Sequence, residues 1–530
     1  MASALRPNDL TLDGPVTVEQ WLGAPALSYP RRPGSIVEVL HQAATQWPET
    51  IAFVDETGAA MTYREAAWAM DETAARLLGE YGLRRGDRVA VAGRNRLDMA
   101  ITVFACAAAG VVMIGLNTRL AAPQWAYMIE SSRAKAAFGQ AELLDQLRPA
   151  AGDLPVHLLD GGDVSGLPHR TLRYGIDEAA AYAVVWTSGT TGRPKGSQVV
   201  HRCSVHSAMS YQRVLRLRAG ETTAVLFPLS YISAMHAHVL PAMLAGATSV
   251  LMETTSPRRW VELLAEHQIA WAYAVPSWWQ LAARDERLDG RRLPALRVAG
   301  AGGAPFPSNL VATLRDRLPN ARLIDIYGLS ETHSPATMLL DHEFALHQGS
   351  VGRPLPCMEI EIRSESGEVC KPGEAGEIWL RGSLVTSGYL DDPSATSESI
   401  VDGWFRTGDL GRLDGEGYLY VLDRVKDMIN RGGSKVFSAE VEALLREMPG
   451  VQDVAIVAAP DRLAGEAVAA FVVRAEGQEF GEADVRRWVR DRMADYAAPT
   501  VVRFVEALPR NPIGKVDKPT LRRLFADVPD

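Results

Sequence analysis

Helix-like and strand-like stretches alternate from the N-terminus to about residue 420. Apolar positions recur with a helical period in "YREAAWAMDETAARLLGEYG" (63–82), and the β-branched run "DRVAVAG" (87–93) follows it. The same order returns in "RRWVELLAEHQ" (258–268) and "IAWAYAVP" (269–276), while "AAPQWAYMIESSRAK" (121–135) predicts a further helix. This alternation indicates α/β layers built on mainly parallel sheets.

The pattern changes in the last quarter of the chain. "GEIWLRG" (376–382) and "GYLYVLDR" (417–424) predict short strands among glycine-rich turns, which is typical of a separate small β unit. The tail predicts a helix at 438–447, strands at 453–458 and 467–473, and a helix at 482–493. We therefore expect a large α/β domain with the small β unit over residues 1–422, a hinge over 423–427, and a small α+β domain over 428–530.

One apolar segment is long enough to raise the question of a membrane span. "MAITVFACAAAGVVMIGL" (99–116) holds eighteen uncharged residues, about the shortest length that crosses a bilayer. It is rich in alanine and interrupted by Gly110, and its β-branched run comes only after that glycine. We favour a buried helix followed by a buried strand. The N-terminal "MASALRPNDL" has no apolar stretch of a secretory signal.

Composition narrows the class of protein. The chain has 530 residues, too many for one core, and at 47% hydrophobic and 22% charged it is ordinary globular material. A net charge of −9 argues against a nucleic-acid or anionic-membrane partner, so a local site must hold any anionic ligand. The four cysteines are far apart and form no CxxC pair, which predicts a reduced, cytoplasmic protein without structural zinc.

The segment "TSGTTGRPKG" (187–196) carries the strongest local signal and follows the strand-like "YAVVW". Backbone N–H groups and hydroxyls in such a loop suit phosphate oxygens, and Lys195 adds a positive charge. The loop is not a Walker loop, because its glycine and lysine are separated and Gly196 follows the lysine. A plain surface turn is the alternative. A Rossmann dehydrogenase is excluded, since "GAGGAP" (300–305) lacks the GxGxxG spacing.

"TSGTTGRPKG" resembles the phosphate-loop signature of the adenylate-forming (ANL) superfamily, which includes acyl-CoA synthetases, peptide-synthetase adenylation domains and luciferases. Further segments match the motifs of that superfamily in order along the chain: "GGAP" (302–305), "YGLSET" (327–332), "RTGD" (406–409), "DRVKDMINRGG" (423–433) and "NPIGKVDK" (511–518). Six ordered matches are far more specific than any single one.

The resemblance implies roles for particular residues in activating a carboxylate on ATP. The expected phosphate ligands are Thr187, Ser188, Gly189, Thr190, Thr191, Gly192 and Lys195. Those expected around adenine are Gly302, Gly303, Ala304, Asp325, Tyr327 and Gly328. Thr332 would contact the α-phosphate, Glu331 would bind Mg²⁺, and Asp409 with Arg424 would bind the ribose. Each residue taken singly also has a purely structural interpretation. Glu331 could place a negative charge at the start of a helix, Asp409 could cap a turn, and Tyr327 could be a core residue.

Lysine is rare in this chain, with only seven residues, and Lys515 lies in the last matching segment. In the superfamily the matching lysine enters from the small, mobile C-terminal domain and bridges the carboxylate and the α-phosphate. A lysine offers a compact charge on a flexible stem, whereas an arginine is a wide planar fork. The resemblance therefore implies that Lys515 is catalytic.

The resemblance also implies a second half-reaction. Lys426 matches the hinge about which the C-terminal domain swings, and Gly432 and Gly433 match the segment that lines the CoA tunnel. One departure concerns "PLSYISAMH" (228–236), where Tyr231 stands at the position of a common gating histidine. We assign no role to His236 or His238, because a lone histidine is more often structural.

The acid-binding pocket is predicted from side-chain type. The sequence has no acidic residue between Glu221 and Glu253, so a partner for a substrate ammonium is missing and an α-amino acid is not expected. The predicted wall suits an apolar acid of fair size and consists of Tyr231, Met235, Trp278, Trp279 and His333. Alternatively, the tryptophan pair is ordinary core.

Three functions follow as hypotheses. The first is an acid–CoA ligase that uses ATP, Mg²⁺ and CoA and takes a small-molecule carboxylic acid. The second is an adenylating enzyme that delivers the acyl group to a carrier-protein thiol or another acceptor. The third is a nucleotide-binding protein without catalysis, and the presence of Lys515, Glu331 and Asp409 argues against it.

Overall fold

The computed structural model describes residues 15–159, 175–187, 194–254, 256–510 and 516–526. The chain divides into two compact units. The first unit holds Met1–Ile360, Trp379–Arg406 and Gly417–Leu419, and the second holds Glu361–Ile378, Thr407–Glu416 and Tyr420–Asp530. Two segments that precede the predicted hinge in sequence, 361–378 and 407–416, thus belong to the second unit.

Helices alternate with strands as the periodicity predicts. The α-helices of the described residues are α1 (Ile36–Gln46), α2 (Tyr63–Gly79), α3 (Leu97–Ala109), α4 (Ala122–Ser132), α5 (Leu144–Ala151), α6 (His201–Leu215), α7 (Ile232–Ala234), α8 (Leu240–Ala245), α9 (Pro257–Glu266), α10 (Pro276–Ala282), α11 (Ser308–Arg317), α12 (Pro393–Ser399), α13 (Ser438–Arg446), α14 (Glu482–Arg490) and α15 (Lys518–Ala526). A π-helix, Met235–Val239, joins α7 to α8, and short 3-10 turns cover Ala141–Leu143, Ser330–Thr332 and Asp495–Ala497.

The strands of the described residues are β1 (Thr17–Trp21), β2 (Ala24–Ser28), β3 (Ile51–Asp55), β4 (Ala60–Thr62), β5 (Arg88–Ala92), β6 (Val112–Leu116), β7 (Ala136–Gly139), β8 (Val156–Leu158), β9 (Ala181–Thr187), β10 (Lys195–Val200), β11 (Thr222–Val225), β12 (Thr248–Leu251), β13 (Ile269–Ala274), β14 (Val298–Gly302), β15 (Arg322–Tyr327), β16 (Thr337–Leu340), β17 (Arg353–Pro354), β18 (Met358–Arg363), β19 (Gly376–Gly382), β20 (Ile400–Val401), β21 (Trp404–Leu413), β22 (Leu419–Arg424), β23 (Ile429–Arg431), β24 (Ser434–Val436), β25 (Val451–Asp461), β26 (Gly465–Arg474) and β27 (Val501–Phe504).

Two sheets organise the first unit. Among its described strands, one sheet has the order β10-β9-β6-β5-β7-β8 and the other β17-β16-β15-β14-β13-β11-β12-β3-β4. Their interiors are parallel, as in the pairs β5–β6 and β13–β14, while the pairs toward one edge of each sheet, β9–β10 in the first and β15–β16 and β16–β17 in the second, are antiparallel. The predicted α/β class is therefore confirmed. In the strand group β18 to β22, four strands have residues in both units: β18, β19, β21 and β22.

The second unit has its own sheet and core. Its described strands have the order β24-β23-β26-β25, with β27 beside β26. The two long strands β25 and β26 pair from Val451↔Arg474 to Asp461↔Gly465, so both extend beyond their predicted bounds. The antiparallel hydrogen bonds include the polar residues at the ends of both strands. A hydrophobic pattern marks only the apolar middle of each strand, so it predicts strands that are too short. Apolar residues of α13 and α14 pack on this sheet.

The apolar segment 99–116 is a buried helix and a buried strand, as predicted. Helix α3 ends before Gly110, whose φ of 70° closes the helix in the left-handed region, and β6 follows with every residue buried. Within the described ranges, no helix has both the length and the apolar character that a bilayer span requires.

Candidate active site

The two ends of the predicted phosphate loop meet as a strand pair in the first unit. Strands β9 and β10 are antiparallel, and Thr187 and Lys195 face each other in the register. The Thr187 hydroxyl donates to the Lys195 carbonyl oxygen at 3.4 Å. Each strand thus carries one expected phosphate ligand, Thr187 on β9 and Lys195 on β10, and the pairing places the two residues side by side. Residues 188–193 between them, which include the predicted ligands Ser188, Gly189, Thr190, Thr191 and Gly192, fall outside the described residues, as does the predicted catalytic Lys515.

Glu331 lies beside these loop ends. Its side chain sits in a 3-10 turn after β15 and is 7% exposed. The Thr187 hydroxyl lies 3.5 Å from Glu331 Oε1, a weak contact, and the Tyr389 hydroxyl donates to the same oxygen at 3.0 Å. Carboxylate and hydroxyl oxygens therefore converge at the point where the sequence predicts Mg²⁺ and phosphates.

Tyr389 was missed by the sequence reasoning. It belongs to "SGYL" (387–390), whose glycine and polar residues predict only a loop. In the structure its ring centroid lies 5.4 Å from the Lys195 ammonium, in addition to its hydrogen bond with Glu331. Burial and then the Glu331 carboxylate raise the pKa of Tyr389, so the hydroxyl is a neutral donor.

The predicted adenine-side residues lie at the carboxyl ends of two neighbouring strands. Gly302 ends β14, and Asp325 and Tyr327 lie at the end of β15, which runs parallel to β14. Gly303, Ala304 and Gly328 follow directly after these strands. Ligands of open α/β sheets bind at such strand ends. Burial raises the pKa of Asp325 to about 7.

Thr332 keeps its side chain within the same turn. Its hydroxyl accepts a hydrogen bond from the Leu329 N–H at 2.9 Å and donates to the Leu329 carbonyl oxygen at 3.1 Å. The side chain is fully buried. These bonds fix the turn that carries Glu331, and the predicted contact of Thr332 with the α-phosphate stays a prediction.

The predicted ribose residues are paired within the second unit. Arg424 Nε lies 3.2 Å from Asp409 Oδ1, and Asp409 is 5% exposed. The Asp409 N–H donates to the Thr407 hydroxyl oxygen at 3.0 Å, and the Val425 N–H donates to the Gly408 carbonyl oxygen at 2.9 Å. The carboxylate and guanidinium expected to hold the ribose hydroxyls are thus held together by backbone and side-chain bonds.

The predicted hinge residue Lys426 lies in a turn of this unit. The Asp427 and Met428 N–H groups both donate to the Arg424 carbonyl oxygen, at 2.9 and 3.0 Å. Helix α15 is tied to the same turn, because Arg522 Nη2 donates to Asp427 Oδ1 at 2.6 Å. Burial, and then the charge of Arg424, lowers the pKa of Lys426.

The predicted CoA-tunnel glycines form the tight turn between β23 and β24. Gly432 and Gly433 have φ values of 59° and 90°, which glycine adopts without strain. The Gly432 N–H donates to the Ala464 carbonyl oxygen at 2.9 Å. Their role toward CoA stays a prediction.

The predicted acid pocket is only partly brought together. Tyr231 precedes α7, its hydroxyl accepts a hydrogen bond from the Asn117 side-chain amide, and burial raises its pKa to about 12. Met235 begins the π-helix and is 3% exposed. A π-helix inside an α-helix is frequent at functional sites. Trp271 of β13 faces the π-helix, since its Nε1–H donates to the Ala237 carbonyl oxygen at 2.7 Å. Tyr273, two residues further along the strand, lies on the same face.

The structure does not bring the tryptophan pair to this wall. Side chains alternate along β13, so Ala272 and Ala274 face the side opposite Trp271. Those alanines share a core cluster with Trp279, and Trp278 packs against that cluster. Trp279 is fully buried and donates its Nε1–H to the Gly300 carbonyl oxygen at 2.8 Å. The predicted pair therefore belongs to the core on the other face of the sheet.

His333 is likewise a structural residue. The Val200 N–H donates to His333 Nε2 at 3.0 Å, and His333 Nδ1–H donates to the Leu384 carbonyl oxygen at 3.1 Å. Both ring nitrogens are occupied, the side chain is fully buried, and burial lowers its pKa well below the ordinary value. The imidazole thus links β10 to the segment around Leu384, and it offers no nitrogen to a substrate.

Family models match both parts of the chain. The model described as "AMP-binding enzyme" matches residues 40–390, and the model described as "AMP-binding enzyme C-terminal domain" matches residues 440–515. The chain belongs to the AMP-binding enzyme family. The predicted adenylate-forming superfamily is therefore confirmed.

Named members of the family resemble the chain over nearly its whole length. A feruloyl-CoA synthase of Amycolatopsis is 34% identical over 88% of this chain and 94% of its own length. A long-chain-fatty-acid–CoA ligase of Mycobacterium tuberculosis is 33% identical over 92% and 98%. The solved O-succinylbenzoate–CoA synthetase of Bacillus subtilis, in complex with ATP and magnesium ion, has a TM-score of 0.82 and 29% identity over 92% and 99%.

This AMP-binding enzyme is an AMP-forming acid–CoA ligase. It activates a carboxylic acid with ATP to an acyl-adenylate with release of pyrophosphate, and it transfers the acyl group to the CoA thiol with release of AMP. ATP and CoA are its substrates and Mg²⁺ its metal ion. Transfer to a carrier-protein thiol, the alternative predicted from the sequence, stays a prediction.

The donor set around Glu331 fits Mg²⁺. A carboxylate oxygen with neighbouring hydroxyls is the hard-oxygen environment that this ion prefers. In the described part of the chain, no group of three or more His, Cys, Asp or Glu side chains is placed to hold a metal. A single carboxylate agrees with the usual binding of Mg²⁺ by one or two carboxylates together with substrate phosphates.

Proposed function

We propose that this acid–CoA ligase activates an apolar carboxylic acid and that the residues at the ends of β9, β10, β14 and β15 hold ATP. The observation that carries the proposal is the convergence of Glu331, Thr187 and Lys195 at one edge of the first unit. A carboxylate, a hydroxyl and an ammonium at this edge match what a metal-bound triphosphate requires.

In this proposal each group has a separate task. Lys195 and Thr187 bind the β- and γ-phosphates, and Glu331 holds the Mg²⁺ that neutralises phosphate charge. Gly302, Gly303, Ala304, Asp325 and Tyr327 enclose the adenine. Thr332 contacts the α-phosphate, where the substrate carboxylate attacks and pyrophosphate leaves.

The second unit supplies the remaining groups. Asp409 accepts the ribose hydroxyls, and Arg424 supports that carboxylate through the ion pair at 3.2 Å. Lys515 bridges the two anions, the carboxylate and the α-phosphate, and offsets the charge that develops between them. We assign residues 1–422 to acid activation, 423–427 to the hinge and 428–530 to the lysine-bearing domain, with Lys426 as the hinge residue.

The acid is apolar for two reasons. The stretch from Thr222 to Met252 contains no acidic residue, so the segment that holds Tyr231 and Met235 has no partner for an ammonium. Two relatives are named for ferulic acid and long-chain fatty acids, which are aromatic and aliphatic respectively. We therefore propose that Tyr231 and Met235 line the site of an apolar acid. We further propose a cytoplasmic location, since all four cysteines are free thiols.

The proposal is tested by ATP–pyrophosphate exchange in the absence of CoA. Glu331→Gln and Asp409→Asn should each lower exchange by about 10²- to 10³-fold, the scale of losing one preorganised charge contact. Lys371→Ala, which changes an exposed lysine, is the control and should leave exchange unchanged. Exchange at the wild-type rate in Glu331→Gln or Asp409→Asn would refute the assigned roles. Efficient exchange with an α-amino acid would refute the apolar pocket.

A further inference from the structure

The segment 386–390 is fastened along strand β10 of the first unit. The Leu390 N–H donates to the Gly196 carbonyl oxygen at 2.8 Å, and the Gln198 N–H donates to the Gly388 carbonyl oxygen at 3.0 Å. Ser197 and Tyr389 form an antiparallel bridge between these bonds. The backbone of Tyr389 is therefore as fixed as that of a strand residue, although its sequence predicts a loop.

The same segment also holds the turn that carries Glu331. The Thr386 N–H donates to the Glu331 carbonyl oxygen at 2.7 Å, and the Thr386 hydroxyl donates to the Gln198 carbonyl oxygen, also at 2.7 Å. Thr386 thus bridges β10 and the Glu331 turn. Any shift of segment 386–390 would move Glu331 and the start of β10 together.

The Tyr389 side chain then reaches both charged groups. Its hydroxyl donates to Glu331 Oε1 at 3.0 Å, and its ring centroid lies 5.4 Å from Lys195 Nζ. A phenol hydroxyl on one carboxylate oxygen limits rotation of the carboxylate, and an aromatic face attracts an ammonium. One side chain thereby sets the position of an anion and of a cation.

We propose that Tyr389 is a positioning residue for acid activation, which orients the Glu331 carboxylate toward Mg²⁺ through its hydroxyl and holds the Lys195 ammonium through its ring. This inference rests on the proposed roles of Glu331 and Lys195. Partners that orient a metal ligand typically change metal affinity by about 10- to 100-fold when they are lost.

The hydroxyl is tested with Tyr389→Phe, which keeps the ring. The apparent KM for Mg²⁺ in pyrophosphate exchange should rise about tenfold, while kcat at saturating Mg²⁺ stays within about threefold of wild type. A direct readout is Mn²⁺ binding, measured by electron paramagnetic resonance in the presence of α,β-methylene-ATP, and it should weaken by the same factor. An unchanged KM for Mg²⁺ and unchanged Mn²⁺ binding would overturn the inference.

A matched control removes the same type of bond elsewhere in the first unit. The Tyr418 hydroxyl donates to Glu343 Oε1 at 2.8 Å, and Glu343 is 3% exposed. Tyr418→Phe should leave the KM for Mg²⁺ and Mn²⁺ binding unchanged. An equal shift in Tyr418→Phe would show that the effect is a general loss of packing, and it would overturn the positioning role.

The ring is tested with Tyr389→Leu. Loss of the aromatic face should raise the KM for ATP by about three- to tenfold over Tyr389→Phe, since a partly buried cation–π contact is worth about 1 kcal/mol. Equal KM values for ATP in the Phe and Leu variants would refute the Lys195 part of the inference. Thermal unfolding of both variants establishes that they are folded at the assay temperature.

Glu331→Gln separates this inference from the proposed function. If Glu331→Gln binds Mn²⁺ as wild type does, the metal role of Glu331 is wrong and the inference falls with it. If Glu331→Gln weakens Mn²⁺ binding and Tyr389→Phe does not, the metal role stands and only the inference about Tyr389 is refuted.

Discussion

Asp325 is a carboxyl group 5% exposed at the carboxyl end of β15. Burial raises its pKa from the ordinary 3.8 to about 7, so the folded protein binds a proton there that the unfolded chain releases near pH 4. The contribution of Asp325 to the free energy of unfolding is therefore highest below pH 4, falls as the pH rises toward 7, and is level above that. Near pH 7 the carboxyl group is about half protonated.

We expect Asp325→Asn to remove this pH dependence. Between pH 5 and pH 8 the variant should gain at most about 2–3 kcal/mol in free energy of unfolding relative to wild type, from about two pKa units. Urea unfolding of the ATP-free protein at both pH values measures the difference. Asp316→Asn, at an exposed position, is the control. A difference between Asp325→Asn and wild type that does not change with pH would contradict the raised pKa.

Lys515 is the residue expected to bridge the two reacting anions. Lys515→Ala should lower ATP–pyrophosphate exchange by about 10²- to 10³-fold, because one compact charge between two anions is lost. Lys371→Ala is again the matched lysine control. Exchange in Lys515→Ala at the rate of this control would sink the assignment.

At the residue scale, the site residues that lie in recognisable motifs were predicted from the sequence. Site residues whose role depends on contacts between segments far apart in the chain were missed. Glu331, Thr187 and Lys195 were predicted, and the structure brings them to one edge. Tyr389 was not, because its pairing with β10 joins residues almost two hundred positions apart and its segment has loop composition. For the tryptophan pair the sequence left two alternatives, pocket wall and ordinary core, and the structure places the pair in the core. The sequence could not decide, since an apolar helix such as α10 does not reveal which side of a sheet it covers.

At the scale of elements, a cluster of charges ties the N-terminal hairpin to α6. Arg202 of α6 is 4% exposed and lies 2.9 Å from Glu19 of β1 and 2.8 Å from Glu178. Arg32 bonds the same two carboxylates. Burial alone would raise the pKa of Glu19, but the hydrogen bonds and charges of Arg32 and Arg202 lower it below its ordinary value. Acid should therefore weaken this connection as Glu19 is protonated.

Removing Arg202 should destabilise the first unit. Arg202→Ala leaves the Glu19 and Glu178 carboxylates with Arg32 as their shared partner. We expect a loss of about 2–4 kcal/mol in free energy of unfolding. This is near the low end for a broken buried ion pair, because both carboxylates are about one third exposed. Urea denaturation measures it. Arg258→Ala breaks an exposed pair with Glu262 and should cost less than about 1 kcal/mol. Equal effects would contradict the buried role of Arg202.

Elements were more predictable than their contacts. The α3–β6 segment was predicted correctly because Gly110 ends the helix and a β-branched run follows. The π-helix Met235–Val239 was not predicted, since its apolar pattern does not differ visibly from that of an α-helix over so few residues.

At the scale of the molecule, the proposed site residues belong to two compact units. The phosphate and adenine residues lie in the first, and Asp409, Arg424 and Lys426 lie in the second. The sequence predicts a single boundary near residue 423. It could not predict that 361–378 and 407–416 belong with the C-terminal residues, because this assignment depends on contacts in the folded chain.

The proposed hinge gives a prediction that separates the two half-reactions. Lys426→Pro fixes φ in the turn after Arg424 and should hinder the rearrangement between steps. We expect pyrophosphate exchange within about threefold of wild type and CoA-dependent AMP release lowered at least about tenfold. Glu476→Pro is the control. The Gln478 N–H donates to the Ala475 carbonyl oxygen, and Gly477 has a φ of 74°, so position 476 is the second residue of a turn in which proline is common. Equal losses in both half-reactions would contradict the hinge.

The most direct test of the proposed two-step reaction is acid-dependent ATP–pyrophosphate exchange over a panel of carboxylic acids, with AMP release measured with and without CoA. We expect exchange with aromatic or aliphatic acids in the absence of CoA, no exchange with α-amino acids, and multiple-turnover AMP release only when CoA is present. Absence of exchange with every acid would contradict acid activation, and exchange without CoA-dependent AMP release would contradict transfer to CoA.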